Sequence, residues 1–172
     1  MTGNGQSQAK HSFDGHSASA VPPQVYVAQA IRATEAARMT EPRYLFSAEL
    51  FQSPAPFSHV AVSRLGLAFI SGLIGQAPDT GELVSAELRP QAEAMFDNFA
   101  LLLTEAGLDA RDVLRITLYL TSYEDFAEIN AIYRERLSEP YPSRVTTQVA
   151  GLPLGARVQI DAVVDAAGTA TA

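Results

Sequence analysis

Residues 112–149 read DVLRITLYLTSYEDFAEINAIYRERLSEPYPSRVTTQV, and this stretch decides the fold class. Its first residues alternate with period two. Leu114, Ile116, Leu118 and Leu120 fall on one face and Val113, Arg115, Thr117 and Tyr119 on the other, as in a strand with one buried side. Ser122 with Asp125 resembles a capping box in which Asp replaces Glu, and so opens a helix. Phe126, Ile129, Tyr133 and Leu137 recur along it at helical spacing, and Pro140 and Pro142 stop it. Arg144–Val149 then returns to strand, with Arg144, Thr146 and Gln148 on one face.

The flanks extend the pattern. Upstream, Leu88, Ala92, Met95, Phe96, Phe99, Leu102, Leu103 and Ala106 describe an amphipathic helix of about five turns with Gly107 as its stop. Before it, Tyr44–Phe51 has strand composition, and His59–Ser63 and Leu67–Ser71 form a hairpin across Arg64-Leu65-Gly66. Asp79-Thr80-Gly81 marks a turn. Downstream, Arg157–Val164 reads as a last strand with Arg157, Gln159, Asp161 and Val163 on one face. Three strands, a helix, a strand, a helix and two strands predict an α+β domain over residues 44–172, a mixed sheet with both helices packed on one face. The opposite face carries Val, Tyr and Thr and needs covering, which favours oligomerisation.

Residues 1–43 differ. Their first part is rich in Gly, Ser, Gln and Ala and reads as mobile; residues 24–39 are Ala-rich and fit a helix of about four turns with a thin apolar stripe, Val27, Ile31 and Thr34. His11 and His16 lie in that polar extension. Part of residues 24–51 is expected to pack on a neighbouring subunit.

Composition excludes several chemistries. The 172 residues include no Cys, and the only Lys is Lys10, so a thiol nucleophile, a Cys-ligated metal and a Schiff-base lysine in the body are out. His59 is the one imidazole of the body. What is left is Arg, carboxylates, hydroxyls, backbone groups and water, and no cofactor or metal is expected. Residues 44–172 carry eight basic and sixteen acidic side chains, a net −8 that disfavours a phosphate backbone as partner. No apolar run approaches a membrane span and the polar start lacks a signal-peptide pattern, so no membrane association and a cytoplasmic location are expected.

Arg144, opening a strand behind a Pro-restrained loop, can present a planar guanidinium to a carboxylate through two parallel hydrogen bonds; a surface Arg lying along the sheet is the plainer reading. Asp161 interrupts an apolar strand and must be paired, exposed or functional, with Arg157 or Arg115 as structural partners. Ser71-Gly72 ends an apolar strand where backbone can approach a ligand, and Asn130 sits on the buried stripe of the second helix.

Taken together, Pro56-Phe57-Ser58-His59, Ser71-Gly72, Thr80-Gly81-Glu82, Asp97-Asn98, the run Phe126–Tyr133, Tyr141-Pro142-Ser143-Arg144 and Val158–Ala162 resemble the RidA (YjgF/YER057c/UK114) family of enamine/imine deaminases over about residues 51–164. The resemblance implies a chorismate-mutase-like α+β fold and a homotrimer with clefts between subunits. It implies that Arg144 clamps a substrate carboxylate and that Asp161 positions water on an imine carbon. Phe57, Ser71, Gly72, Leu73, Thr146 and Asn130 would line the cleft around a small-molecule carboxylate. Four positions depart from the family pattern: Phe57 replaces Tyr, Leu73 replaces Gln, Thr146 replaces Cys, and Asp161 stands where Glu is expected. Three functions remain open at this level: hydrolysis of 2-imino or 2-enamino acids to keto acids and ammonia; hydrolysis, tautomerisation or cyclisation of a larger carboxylate metabolite in secondary metabolism; and non-catalytic ligand binding by a trimer. RNA cleavage, also linked to the family, fits the acidic body least.

Overall fold

The computed structural model describes residues 41–167. Six strands form one mixed sheet: β1 (Arg43–Leu45), β2 (Val60–Val62), β3 (Leu67–Leu73), β4 (Val113–Leu120), β5 (Ser143–Gln148) and β6 (Val158–Asp165), with α1 (Leu88–Ala106) before β4 and α2 (Phe126–Arg136) between β4 and β5. The strand order is β1-β2-β3-β6-β4-β5. Only β4 and β5 run parallel, because α2 supplies the crossover that parallel neighbours require; the other pairs are antiparallel.

A cross-strand row shows which side each residue takes. Leu45, Val60, Ile70, Ala162, Ile116 and Arg144 are successive partners across the sheet. The first five are buried in the same cluster as Phe96, Phe99 and Leu102 of α1 and Ile129, Ile132 and Tyr133 of α2, so both helices cover this face. The neighbouring row, Tyr44, Ala61, Phe69, Val163 and Arg115, belongs to the opposite, uncovered face. There Tyr44 is 53% and Phe69 47% exposed.

All eight apolar positions expected for α1 are buried, and Gly107 ends the helix in the left-handed region at φ 69°. Gly66 turns the β2–β3 hairpin at φ 79°. Differences from expectation have local causes. The register of β4 shifts between Val113 and Arg115, a bulge that turns Val113 inward and leaves Leu114 48% exposed. Residues 44–51 form strand only as far as Leu45, and the segment beyond folds over the sheet end, with Leu50 buried. In α2 the buried stripe is Ile129, Ile132, Tyr133 and Leu137, whereas Phe126 is exposed.

Ser122 does cap, accepting from the Glu124 N–H at 3.2 Å, but Asp125 does not complete a capping box. Its buried carboxylate instead receives Arg157 in a two-pronged bond at 2.5 and 3.2 Å, tying the start of α2 to the start of β6. The extension expected at residues 1–43, with its helix at 24–39, lies outside the described residues except for positions 41–43.

Candidate active site

Arg144 sits where β5 begins, and its placement follows from three local features. Tyr123 donates its hydroxyl to the Thr146 carbonyl at 3.0 Å, Ser143 donates to the Leu114 carbonyl at 3.0 Å, and β4 holds β5 in parallel register. Because Arg144 pairs with core-facing Ile116, its side chain rises on the helix side of this edge strand. It lies over the Tyr133 ring, with the guanidinium carbon 4.8 Å from the ring centroid, and 6.0 Å from that of Phe126. No carboxylate lies within 4.0 Å of it among the described residues, while Arg89, Arg111, Arg136 and Arg157 all hold one. An open pocket of about 280 Å³ adjoins it, lined by Asn130, Tyr133, Arg134, Tyr141, Pro142 and Arg144. Tyr133 is buried beneath the guanidinium, and burial pushes its phenol above the ordinary tyrosine value.

Phe57, Gly72 and Leu73 belong to a second, smaller pocket of about 50 Å³, shared with His59 and Asn98. Ser71 holds the Pro56–His59 segment against β3: its hydroxyl donates to the Ser58 carbonyl at 2.7 Å and its N–H to the His59 carbonyl at 3.0 Å. Ser71 is thus a brace for Phe57 and His59. His59 is buried, stacked on Phe46 at 4.3 Å and edge-on to Phe57 at 5.3 Å. Its Nδ1 accepts the Ser47 N–H at 2.9 Å, which puts the imidazole proton on Nε2.

Desolvation by burial lowers the His59 pKa below 6.5. The folded state therefore binds this proton more weakly than the unfolded chain does. The stability from neutral His59 is complete above pH 6.5 and is lost as pH falls through the folded-state value. Melting temperature should accordingly fall on acidification below pH 6.5, and His59→Gln should show a shallower fall in the same buffers. Equal slopes would exclude His59 as the group responsible.

Asp161 occupies the uncovered face of β6. Its Oδ2 accepts the Tyr119 hydroxyl at 2.6 Å, and this bond, followed by desolvation, raises the Tyr119 pKa above its ordinary value. Neither Arg157 nor Arg115 pairs with it, so the expected structural partners are replaced by a phenol. Gln159, two residues earlier on the same face, lies directly over Gly72: a Cβ there would stand 2.6 Å from Nε2. The absent side chain at Gly72 makes room for this amide. Sequence reading placed Gln159 on the Asp161 face but did not single it out, because only the β3–β6 pairing shows that it meets Gly72.

One chain therefore does not gather the expected residues into one cleft. Arg144 and Asn130 line the first pocket, with Thr146 beside Arg144 on the same face of β5; Phe57, Gly72 and Leu73 line the second; Asp161 is on the opposite face of the sheet from Arg144. The physical reason is the sheet itself. β6 and β4 stand between β3 and β5, so Gly72 and Arg144 are separated by three strand spacings, roughly 14 Å. Among the described residues no group of three or more His, Cys, Asp or Glu side chains is placed to hold a metal ion, and no helix is long and apolar enough to cross a membrane.

The family model for Endoribonuclease L-PSP matches residues 48–166. The chain belongs to this family, the RidA family. A relative from Dermatophagoides farinae, named 2-iminobutanoate/2-iminopropanoate deaminase, is 32% identical over 124 residues, covering 72% of this chain and 96% of that one. Reactive Intermediate Deaminase A, chloroplastic, from Arabidopsis thaliana is 36% identical over 108 residues, which are 63% of this chain and 57% of that longer protein. The crystal structure of RidA from the Antarctic bacterium Psychrobacter sp. PAMC 21119 superposes with a TM-score of 0.67 at 32% identity, over 72% of this chain and 98% of that chain. The RidA-family relatives so named support imine deaminase chemistry for the group, and the α+β sheet with two helices is theirs as well.

Proposed function

We propose that this RidA-family chain hydrolyses 2-imino or 2-enamino acids to 2-keto acids and ammonia, using a cleft completed by another copy of itself. The observation that carries the proposal is the exposed guanidinium of Arg144, without a carboxylate partner among the described residues, on an aromatic floor beside a pocket. A fork of N–H donors so placed suits a planar carboxylate.

Trimer assembly is the means by which the separated sets meet. In the proposed cleft Arg144 of one copy faces Phe57, Gly72 and Leu73 of the next, while the exposed apolar residues of the uncovered face, Tyr44 and Phe69, are buried. Water, oriented by the free oxygen of Asp161, adds to the C=N carbon and passes a proton to nitrogen. The tetrahedral adduct then collapses to a carbonyl, expelling ammonia. Positioning and exclusion of bulk water suffice for a bond this labile. Phe57 and Leu73 give the second pocket part of an apolar wall, which suits the methylene groups of a substrate. The net −8 of residues 44–172 argues against a nucleic-acid substrate.

A coupled assay with freshly generated 2-imino acids tests the proposal, reading keto acid release above the spontaneous rate. Asp161→Asn should lower kcat by roughly 10²–10⁴-fold, the usual span for general-base assistance, with KM changed by no more than about threefold. Unchanged turnover would remove Asp161 from the mechanism and make Gln159→Ala the next variant to measure. Absence of turnover in the wild type, with carboxylate binding retained, would assign the chain to ligand binding instead.

A further inference from the structure

We propose that the pocket beside Arg144 takes a substrate with two carboxylates, with Arg134 binding the second; this rests on the imino-acid reading above and names its substrate class. The pocket is lined by two guanidiniums, not one. Arg134 lies one turn along α2 from Asn130, and among the described residues its side chain makes only one hydrogen bond, a long one of 3.4 Å to the Asn130 carbonyl of its own helix.

That isolation stands out against the other arginines of the two helices. Arg89 bridges Glu93, Glu128 and Glu135, and Arg136 reaches across to Asp97 at 2.7 Å. In a domain with twice as many acidic as basic side chains, a helix arginine beside a second arginine, neither ion-paired among the described residues, is a local concentration of positive charge. Both face the same space, bounded by Tyr133, Tyr141 and Pro142, which supply flat walls and no negative charge. An anion in that space interacts favourably with both guanidiniums.

Size and chemistry select the anion. A volume of about 280 Å³ suits a short chain, and a 2-imino acid already brings one carboxylate to Arg144. A second carboxylate at the end of a two-carbon side chain would reach the Arg134 fork. A terminal methyl in its place would leave that guanidinium unpaired.

The test compares two freshly generated 2-imino acids of equal length, one ending in a carboxylate and one in a methyl group. In the wild type, kcat/KM is expected to favour the dicarboxylate by about tenfold or more, one charge-assisted contact's worth of discrimination. Arg134→Gln should collapse that ratio by about the same factor. Arg64→Gln removes the same charge from the β2–β3 hairpin, far from the pocket, and should leave the ratio at its wild-type value. A wild-type ratio near one, or a ratio insensitive to Arg134→Gln, overturns the proposal.

If neither imine is turned over, the deaminase reading fails separately, and binding decides the substrate class. Calorimetric titration with 2-oxoglutarate and with 2-oxopentanoate then takes over. Tighter binding of 2-oxoglutarate, weakened by Arg134→Gln, upholds the two-carboxylate pocket; equal affinities, or an unchanged preference in the variant, reject it.

Discussion

Arg144→Ala is expected to cut kcat/KM for carboxylate-bearing imines by at least about a hundredfold while the protein stays folded. The fold-change follows from losing two charge-assisted hydrogen bonds, each worth about 1.5–3 kcal/mol, at roughly 1.4 kcal/mol per factor of ten. Folding should survive because the guanidinium is exposed, pairs with no carboxylate among the described residues and contributes mainly its stacking on Tyr133, worth about 0.5–1 kcal/mol at an exposed site. Arg144→Lys sharpens the result: it keeps the charge and loses the planar fork, so it should recover only part of the activity. Coupled turnover and thermal melting on the same preparations separate the two effects. An Arg144→Ala protein with normal kcat/KM would end the carboxylate-clamp mechanism.

Gly75→Ala is the substitution expected to cost most stability. Gly75 follows β3 and lies so close to α1 that a Cβ would overlap the backbone carbonyl of Gln91. A side-chain tip could move aside, but this carbonyl belongs to a helix. Gln91 is also fully buried, donating through Nε2 to the Ser85 carbonyl at 2.8 Å and accepting the Arg157 N–H through Oε1 at 2.8 Å. Shifting α1 outward would strain both bonds and open the core beneath Ala92 and Met95. Overpacking against backbone together with weakened buried hydrogen bonds should cost about 3 kcal/mol. For a domain of this size that is a fall in Tm of roughly 6–12 °C. Thermal and urea melts check it, and an unchanged midpoint would mean that α1 can slide on β3 at no cost.

The parts of the fold that were legible in advance are those with a strong period. α1 shows it best: its stripe is long enough that each apolar position is corroborated by its neighbours, and Gly107 closes it in the one conformation that favours glycine there. The alternation marks β4 as a strand and puts its later residues on the faces they occupy, yet it points Leu114 inward, where the structure exposes it. A bulge inserts one residue, and nothing in an alternating run of apolar residues marks where the extra residue falls. Asp125 has the spacing of a capping partner, but a buried carboxylate gains more from a guanidinium than from one backbone N–H, and Arg157 is brought to it from a strand 32 residues away.

The candidate site divides in the same way. Arg144 was readable as a carboxylate ligand because the Tyr-Pro-Ser-Arg run combines a restrained loop, a strand start and a planar cation in a few adjacent residues. Gln159 over Gly72 and Tyr119 on Asp161 were not, since each depends on pairing between segments distant in the chain, and Arg134 opening into the Arg144 pocket depends on how α2 lies beside the start of β5.

By itself the amino-acid sequence determined the α+β class, the element order, the acidic character of the body, and the short set of residue types on which chemistry must rest. Those follow from local periodicity and composition, which need no knowledge of partners. Only the tertiary structure decided which of those residues share a space. Strand order and facing are set by non-local hydrogen bonding and by burial of one sheet side under two helices. That arrangement puts Arg144 with Tyr133 and Arg134, leaves Phe57 and Gly72 three strands away, and turns Asp161 to the other side of the sheet.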